Sequence, residues 1–260
     1  IIYTGSAAGG IFKTIDGGTT WNSIADEFAY LAISDISIDP SNSNIIYAAS
    51  GDHNISGTPH IGNGVYKSID GGNTWVNKGL VDECIISKII IDPNNTSIVY
   101  AAAMGKPFVR NNKRGLYKSI DGGDTWSQSH FVSDSAGVID VVMDPFNSNT
   151  LYCASWNRIR TNYESLISGN DGRIWKSTDG GANWIKLSGG LPQVPVSRIG
   201  LAISQKTPDL VFAIVVGDNL DFNNVYKTTN GGANWSTLST TGMDTYFMSG
   251  FGWYFGQIRV

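Results

Sequence analysis

The sequence predicts an all-β fold, a β-propeller of four-stranded antiparallel blades, and three observations carry the prediction. A nine-residue motif occurs five times: "KTIDGGTTW" from Lys13, "KSIDGGNTW" from Lys67, "KSIDGGDTW" from Lys118, "KSTDGGANW" from Lys176 and "KTTNGGANW" from Lys227. Its central residues, Asp16, Asp70, Asp121, Asp179 and Asn230, are spaced by 54, 51, 58 and 51 residues. A period near 50 with strand-forming contents marks stacked sheets rather than helical solenoids. Composition agrees: 31 glycines, 11% aromatic and only 15% charged residues suit short strands joined by tight turns. Lastly, each unit repeats one order of strand and turn signals.

Residues 31–80 show that order. A first strand alternates Ile36 and Ile38 with polar neighbours, and "DPSNSN" supplies a reversal. A second strand follows from Ile45 to Ser50, then a loop of about a dozen residues, a third strand from Gly64 to Ser68, the "DGG" turn and a short fourth strand from Thr74. "KIIIDPNNTSIVYAAA", "DVVMDPFNSNTLYCAS" and "RIGLAISQKTPDLVFAI" open the next three units in the same way. The blades therefore fall at about 31–80, 85–132, 137–191 and 196–240 of a single domain, four complete blades plus terminal strands. Residues 1–28 and 253–260 are read as a partial or composite blade: "IIYTG" matches a second strand and "FGQIRV" a first strand. A closed five-bladed ring would need Gly256 to Val260 to pair with the N-terminal strand. The expectation is instead a piece of a longer secreted protein with other domains or chains.

Within each motif, the Ser or Thr and the Asp can bond the turn backbone, and the two glycines supply left-handed positions. Trp21, Trp75, Trp126, Trp184 and Trp235 are expected to be buried between neighbouring sheets. The innermost strands begin, in register, with Asp35, Lys88, Asp140, Arg198 and Gln257, so these should ring the channel mouth on the loop side, paired by opposite charge.

A net charge of −4 and seven scattered arginines exclude a general attraction for phosphate backbones, so no nucleic acid is expected. No apolar run approaches the ~20 residues of a membrane span. Cys84 and Cys153 have no metal-ligand spacing and read as buried thiols. His53, His60 and His130 form no spaced metal set, and the glycine pairs head no helix, so neither metal nor cofactor is expected.

The pattern Ser/Thr-x-Asp-Gly-Gly-x-x-Trp resembles the Asp-box, or BNR repeat, of propellers in sialidases, xyloglucanase-type glycoside hydrolases, sortilin-like receptors and a photosystem assembly factor. The resemblance covers the whole chain and implies that the motif lies on the turn between third and fourth strands, away from the site face. Xyloglucanase-type enzymes place a catalytic Asp just before a Gly-Gly-x-aromatic segment of the first blade; here "SAAGGIFK" has Ala7 at that place. Their second acid comes from a second propeller. Sialidases carry an Arg-Ile-Pro segment, an arginine triad and a Tyr–Glu pair, whereas here Arg158, Arg160, Tyr163 and Glu164 share a single loop.

The loops after the second strands differ in every unit, and function on rigid β scaffolds concentrates on such loops. The longest, "SWNRIRTNYESLISGNDG", holds Trp156, Arg158, Arg160, Tyr163 and Glu164, the expected platform for a sugar ring or a partner side chain. With only three glutamates and no evident carboxylate pair, the expected function is an extracellular, non-catalytic module binding a glycan or protein through this face. The alternative is a glycoside hydrolase, or the non-catalytic half of one. The Asn- and Ser-rich turns suit a bacterial cell-surface protein.

Overall fold

Every DGG turn closes on itself in the same way. In the second, the Ser68 hydroxyl donates to Asp70 Oδ1 at 2.8 Å and accepts the Gly72 N–H at 2.8 Å, while Asp70 accepts the backbone N–H and hydroxyl of Thr74. Gly71 and Gly72 sit at φ of 70° and 88°, a backbone region that a β-carbon disfavours. In the fifth copy Asn230 Oδ1 accepts from Asn234 N, so an amide replaces the carboxylate as acceptor.

These turns organise the sheets of the computed structural model, which describes residues 1–243 and 247–260. The first sheet has three strands, β1 (Ile2–Gly5), β2 (Ile11–Thr14) and β3 (Asn22–Ser23). Four four-stranded antiparallel sheets follow. They consist of β4 (Ile33–Ile38), β5 (Ile46–Ser50), β6 (Val65–Ser68) and β7 (Val76–Asn77), then β8 (Ile86–Ile91), β9 (Val99–Ala103), β10 (Gly115–Ser119) and β11 (Ser127–His130). The fourth sheet holds β12 (Ala136–Asp144) and β13 (Asn147–Asn157), with the hairpin β14 (Ile159–Arg160) and β15 (Ser165–Leu166) inserted before β16 (Ile174–Ser177) and β17 (Ile185–Lys186). The fifth holds β18 (Val196–Ile203), β19 (Val211–Gly217), β20 (Phe222–Thr228) and β21 (Ser236–Thr237). The first strands β4, β8, β12 and β18 lie side by side in succession, each touching the next. The fold is a β-propeller.

Seams between blades are filled by second strands rich in small residues. Ala48, Ala49, Ala101, Ala102 and Ala103 are wholly buried, which lets adjacent sheets approach closely around the larger Ile and Tyr side chains. The seams are also stapled. Tyr47 and Lys67 of one blade both donate to the Gly122 carbonyl of the next, at 2.9 and 2.8 Å. Tyr100 and Lys118 do the same to Gly180, and Tyr3 and Lys13 to Gly71.

Two expectations are corrected here. Of the five motif tryptophans only Trp235 is buried, at 6% exposure; Trp75, Trp126 and Trp184 are half-buried and Trp21 is 42% exposed. The indoles lie at the outer rim of each seam, where they touch the preceding blade: Trp126 Nε1 donates to the Lys78 carbonyl at 2.8 Å, and Trp75 meets Phe28 edge-on. Trp21, in the first sheet, donates its indole N–H to the Gly18 carbonyl of its own turn at 3.1 Å. Second, "FGQIRV", expected as a first strand from Gly256 to Val260, forms none. Gly252–Phe255 is a helical turn, α1, whose Trp253 and Tyr254 carbonyls face Arg198 rather than a neighbouring strand, and among the described residues β1 pairs with β2 alone. Among the described residues no helix is long and apolar enough to cross a membrane.

Candidate functional site

Each third-to-fourth-strand turn bonds the first-to-second-strand turn of its own blade, as Gly71 N does Asn44 O and Gly122 N does Ser97 O. The DGG turns therefore share one face, and Asp16, Asp70, Asp121, Asp179 and Asn230 are all committed there to turn bonds. The opposite face carries the variable loops.

On that face the long loop of the fourth blade folds back as the β14–β15 hairpin, pairing Ile159 with Leu166 and Arg160 with Ser165. This fold separates the five expected contact residues. Trp156 and Arg158 have no exposed surface, so they are corrected from contact residues to the foundation of the hairpin. The Trp156 indole donates to the Ile167 carbonyl at 2.7 Å, while Arg158 donates to the carbonyls of Leu166 and Ile55 and lies over the rings of Trp156 and Trp253. The hairpin's base from Trp156 to Ile159 is buried whole, both sides of the strand included, and the chain comes to the surface only from Arg160 onward.

Arg160, Tyr163 and Glu164 remain accessible. Tyr163, at the hairpin tip, is 99% exposed. Arg160 Nε reaches the Gly57 carbonyl of the second blade at 3.1 Å. Glu164 accepts from Arg110 at 2.7 Å, and the same guanidinium reaches Asp134 at 3.2 Å, joining third and fourth blades. Between these loops lies an open cleft of about 640 Å³, walled by Gly57, Phe108, Arg160, Asn162 and Tyr163. Phe108, 50% exposed, and Arg110 escaped the sequence reading. The stretch "KPFVR" in a variable loop, an aromatic beside an arginine and behind a proline, was the available signal.

The second feature is a small cavity where the first strands begin. Asp35, Lys88, Asp140, Arg198 and Gln257 line one cavity of about 50 Å³ together with His53 and Arg259. A β-bulge near the start of each first strand aims Asp35, Lys88, Asp140 and Arg198 there, with pairing skipped between Ile33 and Asp35, Ile86 and Lys88, Val138 and Asp140, and Val196 and Ile199. Gln257, expected at the start of an innermost strand, instead reaches the cavity from a segment that forms no strand. The extra residues also stitch blades together, since Ser34 donates to the Ile86 carbonyl and Ser87 to that of Val138. Asp35 accepts the Ile89 N–H and Asp140 that of Leu201, both at 2.9 Å from the following blade. Only Asp35 and Lys88, 3.3 Å apart, form an ion pair in the ring, so the expected mutual pairing is partial.

Burial sets the chemistry of this cavity. It pushes the Asp140 carboxyl up, against the pull of the Leu201 N–H, and holds His53 down at about 3, with Arg198 adding to the effect, so the imidazole is neutral. Arg198 is lowered to about 10 by the same desolvation and stays charged. A space of about 50 Å³ holds a few waters or one small ion and is too small for a sugar ring. Ala7 lies on the exposed β1–β2 turn, where Ser6 Oγ accepts the Gly9 N–H and no acid is supplied.

No protein-family model matches the chain. It is 26% identical over 217 residues to the xyloglucanase Xgh74A of Acetivibrio thermocellus, covering 73% of this chain and 24% of that protein. It is 23% identical over 283 residues to a xyloglucanase of Hypocrea jecorina, covering 97% of this chain and 32% of that one. The chain thus spans a quarter to a third of the length of these curated relatives. Among solved structures it is similar to an ancestral GH74 enzyme, with a TM-score of 0.68, 22% identity and coverage of 93% of this chain and 30% of the other. The GH74 xyloglucanase from Xanthomonas campestris gives a TM-score of 0.61 at 13% identity, covering 98% and 46%. The sequence relatives are glycoside hydrolases, and the structural likeness is one of fold.

Proposed function

We propose that the chain is a polysaccharide-binding portion of an extracellular glycoside hydrolase acting on xyloglucan, and that it supplies substrate contacts rather than the catalytic acids. One observation carries the reading: Tyr163 and Phe108 stand exposed on the two walls of the loop-face cleft. Exposed aromatic faces offer the flat apolar surface on which the C–H faces of a sugar ring stack, and Arg160 and Asn162 beside them offer hydrogen-bond donors. The xyloglucanase relatives supply the substrate class. Glycoside cleavage needs two carboxyl groups across the bond, one of them a proton donor. Glu164, near the cleft, accepts from Arg110, and Ala7 offers no carboxyl at all.

The test is electrophoresis of the chain through gels with and without embedded xyloglucan, alongside a reducing-end assay on the same polysaccharide. Retardation without release of reducing ends is expected. Unaltered mobility would remove the binding role, and released ends would place catalysis within these residues.

A further inference from the structure

We propose that the small cavity where the first strands begin is a binding site for one small anion, a carboxylate or an inorganic oxyanion, held by Arg198 with Lys88 and Arg259. The inference is independent of the polysaccharide reading.

Arg198 is the anchor. It is 3% exposed, and its Nη1 donates to Asn54 Oδ1 and faces the carbonyls of Trp253 and Tyr254 at 3.4 and 3.2 Å. Its Nε and Nη2 have no acceptor among the described residues, and the side chain lines the cavity. These N–H groups open onto the cavity, where an anion would give them a charge-assisted partner in place of water.

Ion pairing points the same way. Three cations, Lys88, Arg198 and Arg259, face two carboxylates, Asp35 and Asp140. Lys88 is matched by Asp35. The oxygens of Asp140 accept the N–H groups of Val141 and Leu201, and no described carboxylate lies within 4.0 Å of Arg198 or Arg259. Asp52, next to His53, is turned to its own loop, accepting from the N–H groups of Asn54 and Ser56. Asp52 still acts on Arg198 through its charge, so the site is near neutral overall, but neither Arg198 nor Arg259 has a carboxylate paired with it around a space of about 50 Å³, which admits acetate or sulfate.

The loop at 52–57 roofs this site and walls the cleft. Arg198 holds it at Asn54, Arg158 at the Ile55 carbonyl and Arg160 at the Gly57 carbonyl. An anion bound under it therefore firms one wall of the cleft.

Calorimetric titration of the 260-residue chain with sodium sulfate, and separately with sodium acetate, tests this in a background of sodium gluconate, whose anion is too large for the cavity. Saturable one-site binding of at least one anion is expected, about tenfold weaker in Arg259→Gln and in Lys88→Gln. Both variants change side chains that are not fully buried, so folding survives them. Tighter sulfate binding would mark an inorganic oxyanion site, and tighter acetate binding a carboxylate site. Absence of saturable heat with both anions, or equal affinity in wild type and both variants, would overturn the proposal.

Discussion

Lys67 Nζ donates to the carbonyl oxygen of Gly122 at 2.8 Å, across the seam between two blades. The Tyr47 hydroxyl reaches the same oxygen, and the ammonium lies 5.0 Å from the Tyr47 ring centre. In the first three sheets the lysine that opens the motif and the tyrosine of the strand before it thus act together on the motif of the following blade, while in the fourth Lys176 alone reaches Gly231 and the Tyr152 hydroxyl has no partner among the described residues. Repetition in the sequence is in part repetition of this joint.

Removing one donor should cost what a net hydrogen bond contributes, and removing both should cost more than the sum because the carbonyl is then left unsatisfied. Tyr100→Phe and Lys118→Met are each expected to lower stability by about 0.5–1.5 kcal/mol in urea unfolding. The double variant should show a coupling term; strict additivity would argue against a shared acceptor.

The motif tryptophans differ in burial and should differ in cost. Trp235→Ala is expected to lose about 3–5 kcal/mol, as for a large core residue, and Trp21→Ala about 1 kcal/mol or less. Equal losses in the same unfolding assay would contradict the placement of Trp21 at an open rim.

The DGG turns predict an acid limb of stability. The threonine hydroxyl and N–H groups that bond Asp70 and Asp121, and the Asn183 groups that bond Asp179, hold these carboxyls below their ordinary 3.8, at about 2. A carboxyl depressed in the folded state adds stability that is complete above its unfolded value and is lost as pH falls through the folded one. The urea midpoint should therefore stay level as pH drops toward 4 and fall as it approaches about 2. Asp121→Asn, which copies the natural Asn230, should flatten part of that limb; an unchanged limb would show that these bonds do not stabilise the fold.

The sequence pattern reached the blade architecture because its signals are local and periodic: a Pro-Asn turn, a DGG turn and alternating strands every 50 or so residues. Features that depend on a second blade stayed hidden. The Lys–Tyr staple joins residues of different units, and the bulges that aim Asp35, Lys88 and Asp140 leave no mark in composition. Trp156 and Arg158 were misplaced for a related reason. A loop rich in aromatic and arginine residues looks like a contact surface until a two-residue hairpin turns its base inward. At the C-terminus, "QIRV" has the alternation of a strand, yet the backbone ahead of it is drawn toward Arg198. Tyr163, at the hairpin tip, was placed on the exposed surface by the same reasoning and is exposed.

The central claim is that the cleft between Phe108 and Tyr163 receives a polysaccharide, and calorimetry with a xyloglucan oligosaccharide tests it most directly. Saturable binding by the wild type is expected, weakened about tenfold by Tyr163→Ala, the loss of one aromatic stacking contact of about 1.4 kcal/mol. Phe108→Ala should weaken it in the same sense, with the folded state unaltered because both rings face solvent. No binding by the wild type, or full affinity in the Phe108→Ala, Tyr163→Ala double variant, would contradict the account.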